Sequence, residues 1–248
     1  MDIPALRLVW LVQQDRDGWA RLLAESTADR AGQALAISRL CVAHLDITGA
    51  GMSMVAEGSR GGVVCATDDV AAEIEALQFN LGEGPCMDAV RTGSAVLMPD
   101  LDHPEDMTTD RWPTFMGAAR AAGARAVFAF PMRIGAINVG AMDFYRDVPG
   151  PLSDTDLQAA FDAADAGAHA LLHIDIGEDG LVADDADTRS TYHVRVHQAT
   201  GMVQVQLGIP TEEALLRLRA RAFAVGRALA DFAADVVERR VRFALEDE

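Results

Sequence analysis

Among the 248 residues every one of the 21 Lys/Arg positions is an arginine. A run of them sits in HVRVHQATGMVQVQLGIPTEEALLRLRARAF, His193–Phe223. Arg195 and His197 lead into Gln198, Thr200, Gly201 and Gln204, and Arg217, Arg219 and Arg221 follow on the next helical run. Guanidinium forks match phosphate oxygens, and glutamine amides can both donate to and accept from base edges. This chemistry suits a nucleic acid, and RNA loops in particular are read on exposed base edges and by stacking. The same arginines also suit solvated helix faces, so charge pattern alone leaves both readings open. Gly201 adds a second question. A glycine inside a helix costs roughly 1 kcal/mol against alanine. It is kept where another helix, or a nucleobase, comes up against the backbone. Arg239 and Arg242 stand three apart on a last helical run.

Other chemistry-bearing groups are sparse. Cys86 follows Pro85 at the start of a short helical run. A helix N-terminus lowers a thiol pKa, whereas a buried thiol is a small apolar wall residue. His103 stands among Asp102, Glu105 and Asp106 in a turn-rich stretch, and His169 and His173 are one helical turn apart. Neither set offers a full ligand shell, so no metal is assigned. Cys41, Cys65 and Cys86 form no CxxC pair, which argues against a disulfide framework and a zinc site. No nucleophile elbow, phosphate-cradling glycine loop or HExxH motif is present, and no enzymatic activity is expected. The cofactor remains unknown.

The net charge of −17 hides an uneven distribution. Residues 1–188 hold 12 Arg against 30 acidic residues, a balance of −18, and residues 189–244 hold 9 Arg against 5, a balance of +4. Such asymmetry marks a basic module beside an acidic one. No apolar run approaches the ~20 residues of a membrane helix, and the first residues lack a cleavable leader pattern. A cytoplasmic protein is expected.

The elements that must carry these groups separate into two sets. From Trp19 to Leu45 apolar residues recur at helical spacing. Then come a strand hairpin (GAGMSMVAEGSRGGVVCAT), a helix (DDVAAEIEALQFN), a short helix begun by Pro85, a strand (SAVLMPDL), a helix ending at Gly123, a pair of strands joined near Gly135, and a long helix capped by Ser153. Helices around hairpin-connected strands predict an α+β domain over residues 1–175 with one antiparallel sheet. The acidic, glycine-containing stretch 176–189 reads as a linker. Residues 190–248 read as three amphipathic helices, with Gly208 and Pro210 closing the first, Thr211 capping the second and Gly226 ending it. A bundle of under about 60 residues is marginal alone, so it is expected to lean on a partner chain or on the linker.

HQATGMVQVQLGIPTEEALLRLRARAFAVGRALADFAADVV resembles the ANTAR domain, a three-helix RNA-binding output module. The matching features are Ala199–Met202, Leu207–Thr211, Glu213–Ala214, Leu218–Arg219 and Ala233–Val236. The resemblance implies binding to paired RNA hairpins with short loops in nascent transcripts, favouring antitermination, by a homodimer. Many relatives carry Lys where Thr200 stands, which implies that one phosphate contact is absent or moved to Arg195 or His197. Upstream, LGEGPCMDAVRTG (Leu81–Gly93), VLMPDL, WPTF (Trp112–Phe115) and FPMRIGAINVGAMDFYR resemble a GAF domain of the actinobacterial type. That resemblance implies a pocketed sensor for an unknown small ligand, with Cys86, Met87, Trp112, Phe115 and Phe130 as candidate lining. The pattern of cyclic-nucleotide GAF domains is absent. The expected function is a signal-responsive antitermination regulator. The alternative is a dimeric ligand-sensing module whose helical part binds a protein.

Overall fold

The computed structural model describes residues 30–54, 62–103, 111–171 and 188–244. Two compact units result, the first carrying a sheet and the second the last three helices. The expected linker as far as residue 187, the residues before Arg30, Glu105, Asp106 and His173 lie outside the described residues; residues 188 and 189, assigned to the linker from sequence, instead begin a helix.

In the first unit α1 (Arg30–His44) leads into β1 (Gly49–Met54) and β2 (Gly62–Ala66). After them come α2 (Asp69–Leu81), α3 (Pro85–Thr92), β3 (Val96–Met98) and α4 (Phe115–Ala122). β4 (Ala126–Ile134), β5 (Ile137–Arg146) and α5 (Asp154–Leu171) complete it. The five-stranded sheet has the order β2-β1-β5-β4-β3, and β1/β5, β5/β4 and β4/β3 pair antiparallel. α1 and α5 cover one face, α2 and α3 the other, and α4 packs on α2.

Strand alternation sorts the side chains. Met52, Met142 and Phe130 share one register row, and Phe130 meets Phe161 of α5 edge-on at 5.0 Å between centroids. On the opposite face Val127, Ala129 and Tyr145 join Ile74, Ala89, Trp112 and Phe115 in one core cluster. Asp143 pairs with Ala129 and Gly51 in register, so it points toward α2 and α3. α2 starts where Asp68 accepts from the Ala71 N–H at 2.9 Å, an N-cap worth roughly 1 kcal/mol. Ser153 accepts from the Asp156 N–H at 3.1 Å and starts α5 in the same way.

In the second unit α6 (Thr188–Leu207), α7 (Thr211–Ala224) and α8 (Leu229–Val237) pack mutually. α6 buries Val196, Ala199, Val203 and Leu207, a stripe of three- and four-residue steps. Leu218, Ala222, Leu229, Phe232 and Val236 meet it from the other helices. Phe243, beyond α8, closes the bundle with its ring edge-on to Phe232 at 6.4 Å. Thr211 is not the cap of α7 but its first residue. Pro210 holds the cap position, and the Thr211 hydroxyl donates instead to Gln204 Oε1 at 3.0 Å.

Candidate functional site

A buried polar cluster lies between the sheet and α2/α3. α2 turns Ala71, Ile74, Glu75 and Gln78 toward the sheet, so two polar residues occupy an otherwise apolar stripe. Asp143 comes from the middle of β5, Ser53 from β1, and Cys86 from the first turn of α3. Glu75, Asp143 and Cys86 are only 2, 3 and 4 % exposed. One ligating atom from each lies within 4.8 Å of the others, the one such group among the described residues.

Each carboxylate is held from one side. Ser53 donates to Glu75 Oε2. Gln78 Nε2 donates to Asp143 Oδ2 at 3.0 Å, while Gln78 Oε1 accepts from the Cys86 N–H at 2.7 Å. The other oxygens, Glu75 Oε1 and Asp143 Oδ1, are buried with no amide or hydroxyl donor; the Asp143 carboxyl instead lies within hydrogen-bonding reach of the Glu75 carboxyl and the Cys86 thiol. Two glycines make the space. A Cβ on Gly51 would come within 2.7 Å of Glu75 Cγ, and one on Gly84 would meet Gln78 Oε1 at 2.7 Å.

Burial, and then the neighbouring Asp143, pushes the Glu75 carboxyl well above the usual range. Burial raises Asp143 as well. The Cys86 thiol also goes up, through burial and then the charges of Asp143 and Glu75. The helix N-terminus therefore does not produce a thiolate here, because desolvation and two acids outweigh the dipole.

The residues around Cys86 staple the unit together. Glu83 Oε1 accepts from the N–H groups of Thr114 and Phe115 at 2.7 and 2.8 Å, satisfying the start of α4. Asp88 accepts from Arg91 (2.8 Å), Arg111 (2.5 Å) and the Trp112 indole (3.0 Å). Burial pushes Asp88 up, but these bonds outweigh it and hold the carboxyl below its ordinary value.

The five residues expected to line one pocket do not gather. Cys86 belongs to the acidic cluster, Met87 is half-buried, and Trp112 and Phe115 are core residues on the same side of the sheet. Phe130 faces α5 on the opposite side, because its register row is that of Met142 rather than Asp143. Glu75, Gln78, Ser53 and Asp143 were not singled out from sequence. Their signal is a polar side chain at a stripe position of α2, or inside an apolar strand. His103 is exposed and bonds Asp100 at 3.3 Å, and Asp102 pairs with Arg120.

The second unit holds an open groove of about 690 Å³, lined by Gln198, Gly201, Met202, Val205, Gln206, Val237, Arg239 and Arg242. A Cβ placed on Gly201 would meet nothing within 4 Å. Arg239 carries φ +62°, the left-handed region that L side chains enter at a cost of about 1–2 kcal/mol.

The candidate RNA residues divide around this groove. Gln198 and Gly201 line it. Thr200 does not, being 2 % exposed with its hydroxyl donating to the Val196 carbonyl at 2.7 Å. Gln204 is engaged by Thr211. Arg195 is exposed and His197 half-buried on α6. On α7, Arg217 pairs with Glu213 at 2.8 Å, Arg219 is half-buried, and Arg221 lies over the Phe243 ring at 5.3 Å. Arg239 and Arg242 therefore supply the positive charge at the groove.

The GAF domain family model matches residues 22–172. No curated protein matches the chain. Solved structures that match the chain include the GAF domain of a phosphoenolpyruvate-protein phosphotransferase from Coxiella burnetii, at 9 % identity and TM-score 0.48, covering 69 % of this chain and 96 % of that one. The corresponding domain from Acinetobacter has 8 % identity and TM-score 0.48, with 75 % and 100 % covered. A type II free methionine-R-sulfoxide reductase from Thermoplasma acidophilum has 18 % identity and TM-score 0.44, with 57 % and 92 % covered. Among the described residues no helix is long and apolar enough to cross a membrane.

Proposed function

The chain belongs to the GAF domain family, and we propose that this sensor unit governs an RNA-binding helical unit, making the protein a signal-responsive, non-enzymatic regulator of transcription antitermination. One observation carries the RNA reading. Two local rules are broken, and both breaks face the same groove. Gly201 weakens the middle of α6 by roughly 1 kcal/mol, yet nothing in its own unit needs the space. Arg239 takes a left-handed backbone where glycine is cheaper. Departures of this kind concentrate where function requires them. Here they place a bare backbone beside two guanidinium groups and an exposed amide, a surface for a base and its phosphates. The unit is the basic part of an acidic chain, and its resemblance to ANTAR modules supports the same reading. Leu216 and Phe223, 63 and 70 % exposed and seven residues apart on α7, suit contact with a second copy of the chain.

The test is a titration of paired RNA hairpins with short loops at two salt concentrations. Affinity should fall with salt, and Arg239→Ala and Arg242→Ala should each flatten the log–log slope by about one unit. A flat salt dependence with unaltered variants would overturn this reading in favour of a protein partner.

A further inference from the structure

We propose that Glu75, Cys86 and Asp143 form a binding site for a divalent transition-metal cation of the borderline class that accepts both carboxylate oxygen and thiolate sulfur, with Zn²⁺ as its representative. The proposal goes beyond the RNA reading and does not depend on it.

Three elements converge on the site: α2 gives Glu75, the first turn of α3 gives Cys86, and β5 gives Asp143. Leaving a buried acceptor unsatisfied costs about 1–3 kcal/mol, more for charged groups. Two such oxygens, Glu75 Oε1 and Asp143 Oδ1, are found together. The oxygens that do have partners are bonded on the sides held by Ser53 and Gln78. This is how outer-shell groups orient metal ligands, with one oxygen tied and the other presented. Gln78 does so twice, since it also holds the backbone of Cys86. Gly51 and Gly84 leave the room that Glu75 and Gln78 occupy.

The competing arrangement is a proton shared between the two carboxyls with the Cys86 thiol donating to Asp143, and under it the chain takes up no metal. A cation engages all three groups. As the metal–ligand bonds form, the thiol proton and the proton held between the two carboxyls leave to buffer. Donor separations of up to 4.8 Å exceed the about 3.5 Å between tetrahedral ligands implied by metal–ligand bonds of 2.0–2.3 Å, so ligation draws the side chains together by the order of 1 Å. Three protein ligands leave a fourth position for an exogenous donor.

The experiment uses the full chain, stripped with chelator and titrated with Zn²⁺ by calorimetry and with Co²⁺ by absorption. One equivalent per chain is expected, with a thiolate-to-cobalt charge-transfer band and a rise in the melting temperature of the sheet unit. Cys86→Ser, a near-isosteric change, should abolish the band. The double variant Cys41→Ala, Cys65→Ala should keep it, which excludes the other thiols. Ser53→Ala, which leaves every ligand in place, should weaken affinity roughly tenfold. Sub-stoichiometric binding, or binding that Cys86→Ser leaves unchanged, would overturn the proposal, since an acidic surface binds cations in that way. RNA affinity, measured on the same samples, reports separately on the regulator reading.

Discussion

Gly201→Ala separates the two reasons a helix keeps a glycine. If the position were packed against a neighbouring helix, the added methyl would clash and the bundle would lose stability. Nothing lies within 4 Å of the Cβ site, so the methyl enters open space and only the backbone preference remains. That preference is roughly 1 kcal/mol in favour of alanine. For a unit the size of residues 188–244, 1 kcal/mol corresponds to a rise of about 4–8 °C in melting temperature. Gly201→Leu should gain nearly as much, because leucine is also a strong helix former. Its side chain would then occupy the groove floor beside Gln198, Met202 and Val205. Losing one docked base costs about 1–3 kcal/mol, so hairpin affinity should fall about 5- to 150-fold while helicity rises. Circular dichroism melts and an RNA titration on the same preparations read both quantities. A destabilised Gly201→Ala would show that something covers the position. Normal RNA binding by Gly201→Leu would remove the groove from recognition.

Four further outcomes follow from the same contacts. Arg239→Gly relieves a left-handed arginine and should stabilise the bundle by about 1 kcal/mol while weakening RNA binding; a melt and a titration check the opposite signs. Thr200→Val removes a buried hydroxyl bonded to the Val196 carbonyl and should leave hairpin affinity unchanged, since that side chain faces inward. Asp88→Asn weakens three charge-assisted bonds and should cost about 2 kcal/mol, read by urea melts followed through Trp112 fluorescence. Because the folded Asp88 carboxyl lies below its ordinary value, its contribution is complete above about pH 4 and is lost as pH falls through the folded value. Asp88→Asn should therefore flatten the acid limb of the stability profile.

Chain order and most element ends were legible in the sequence, because they rest on local chemistry. Asp68 and Ser153 mark helix starts by hydrogen-bonding the third residue onward, and Gly123 ends α4. The periodic stripe of α7 reads Leu215, Leu218, Ala222 and Val225; the first three are buried, but Val225 stands at the helix C-cap and is 52 % exposed. The grouping of Cys86, Met87, Trp112, Phe115 and Phe130 into one pocket required knowing which side of the sheet each residue takes. That depends on strand register, a non-local property in which one residue's shift turns a side chain to the other face. Phe130 shows the consequence.

The acidic cluster was hidden for a different reason. DDVAAEIEALQFN reads as a helix with acidic residues in its first turn, and Glu73, just beyond that turn, is exposed. Glu75 stands two residues later in the same composition, but it falls with Ala71, Ile74 and Gln78 on the stripe that packs inward. What distinguishes it is phase, not residue type. Asp143 carries the matching signal on β5, alternating with Met142 and Phe144 in a strand otherwise buried on both faces. Neither position is informative alone, since either acid could turn outward or pair with an arginine. Together they are informative because the sheet brings two inward carboxylates to one thiol with no arginine among their hydrogen-bond partners. A fold that merely tolerated such residues would be stabilised by replacing them with apolar ones of similar size. The cation proposed for this site would offset the cost of burying all three, with Ser53, Gln78, Gly51 and Gly84 arranged around them.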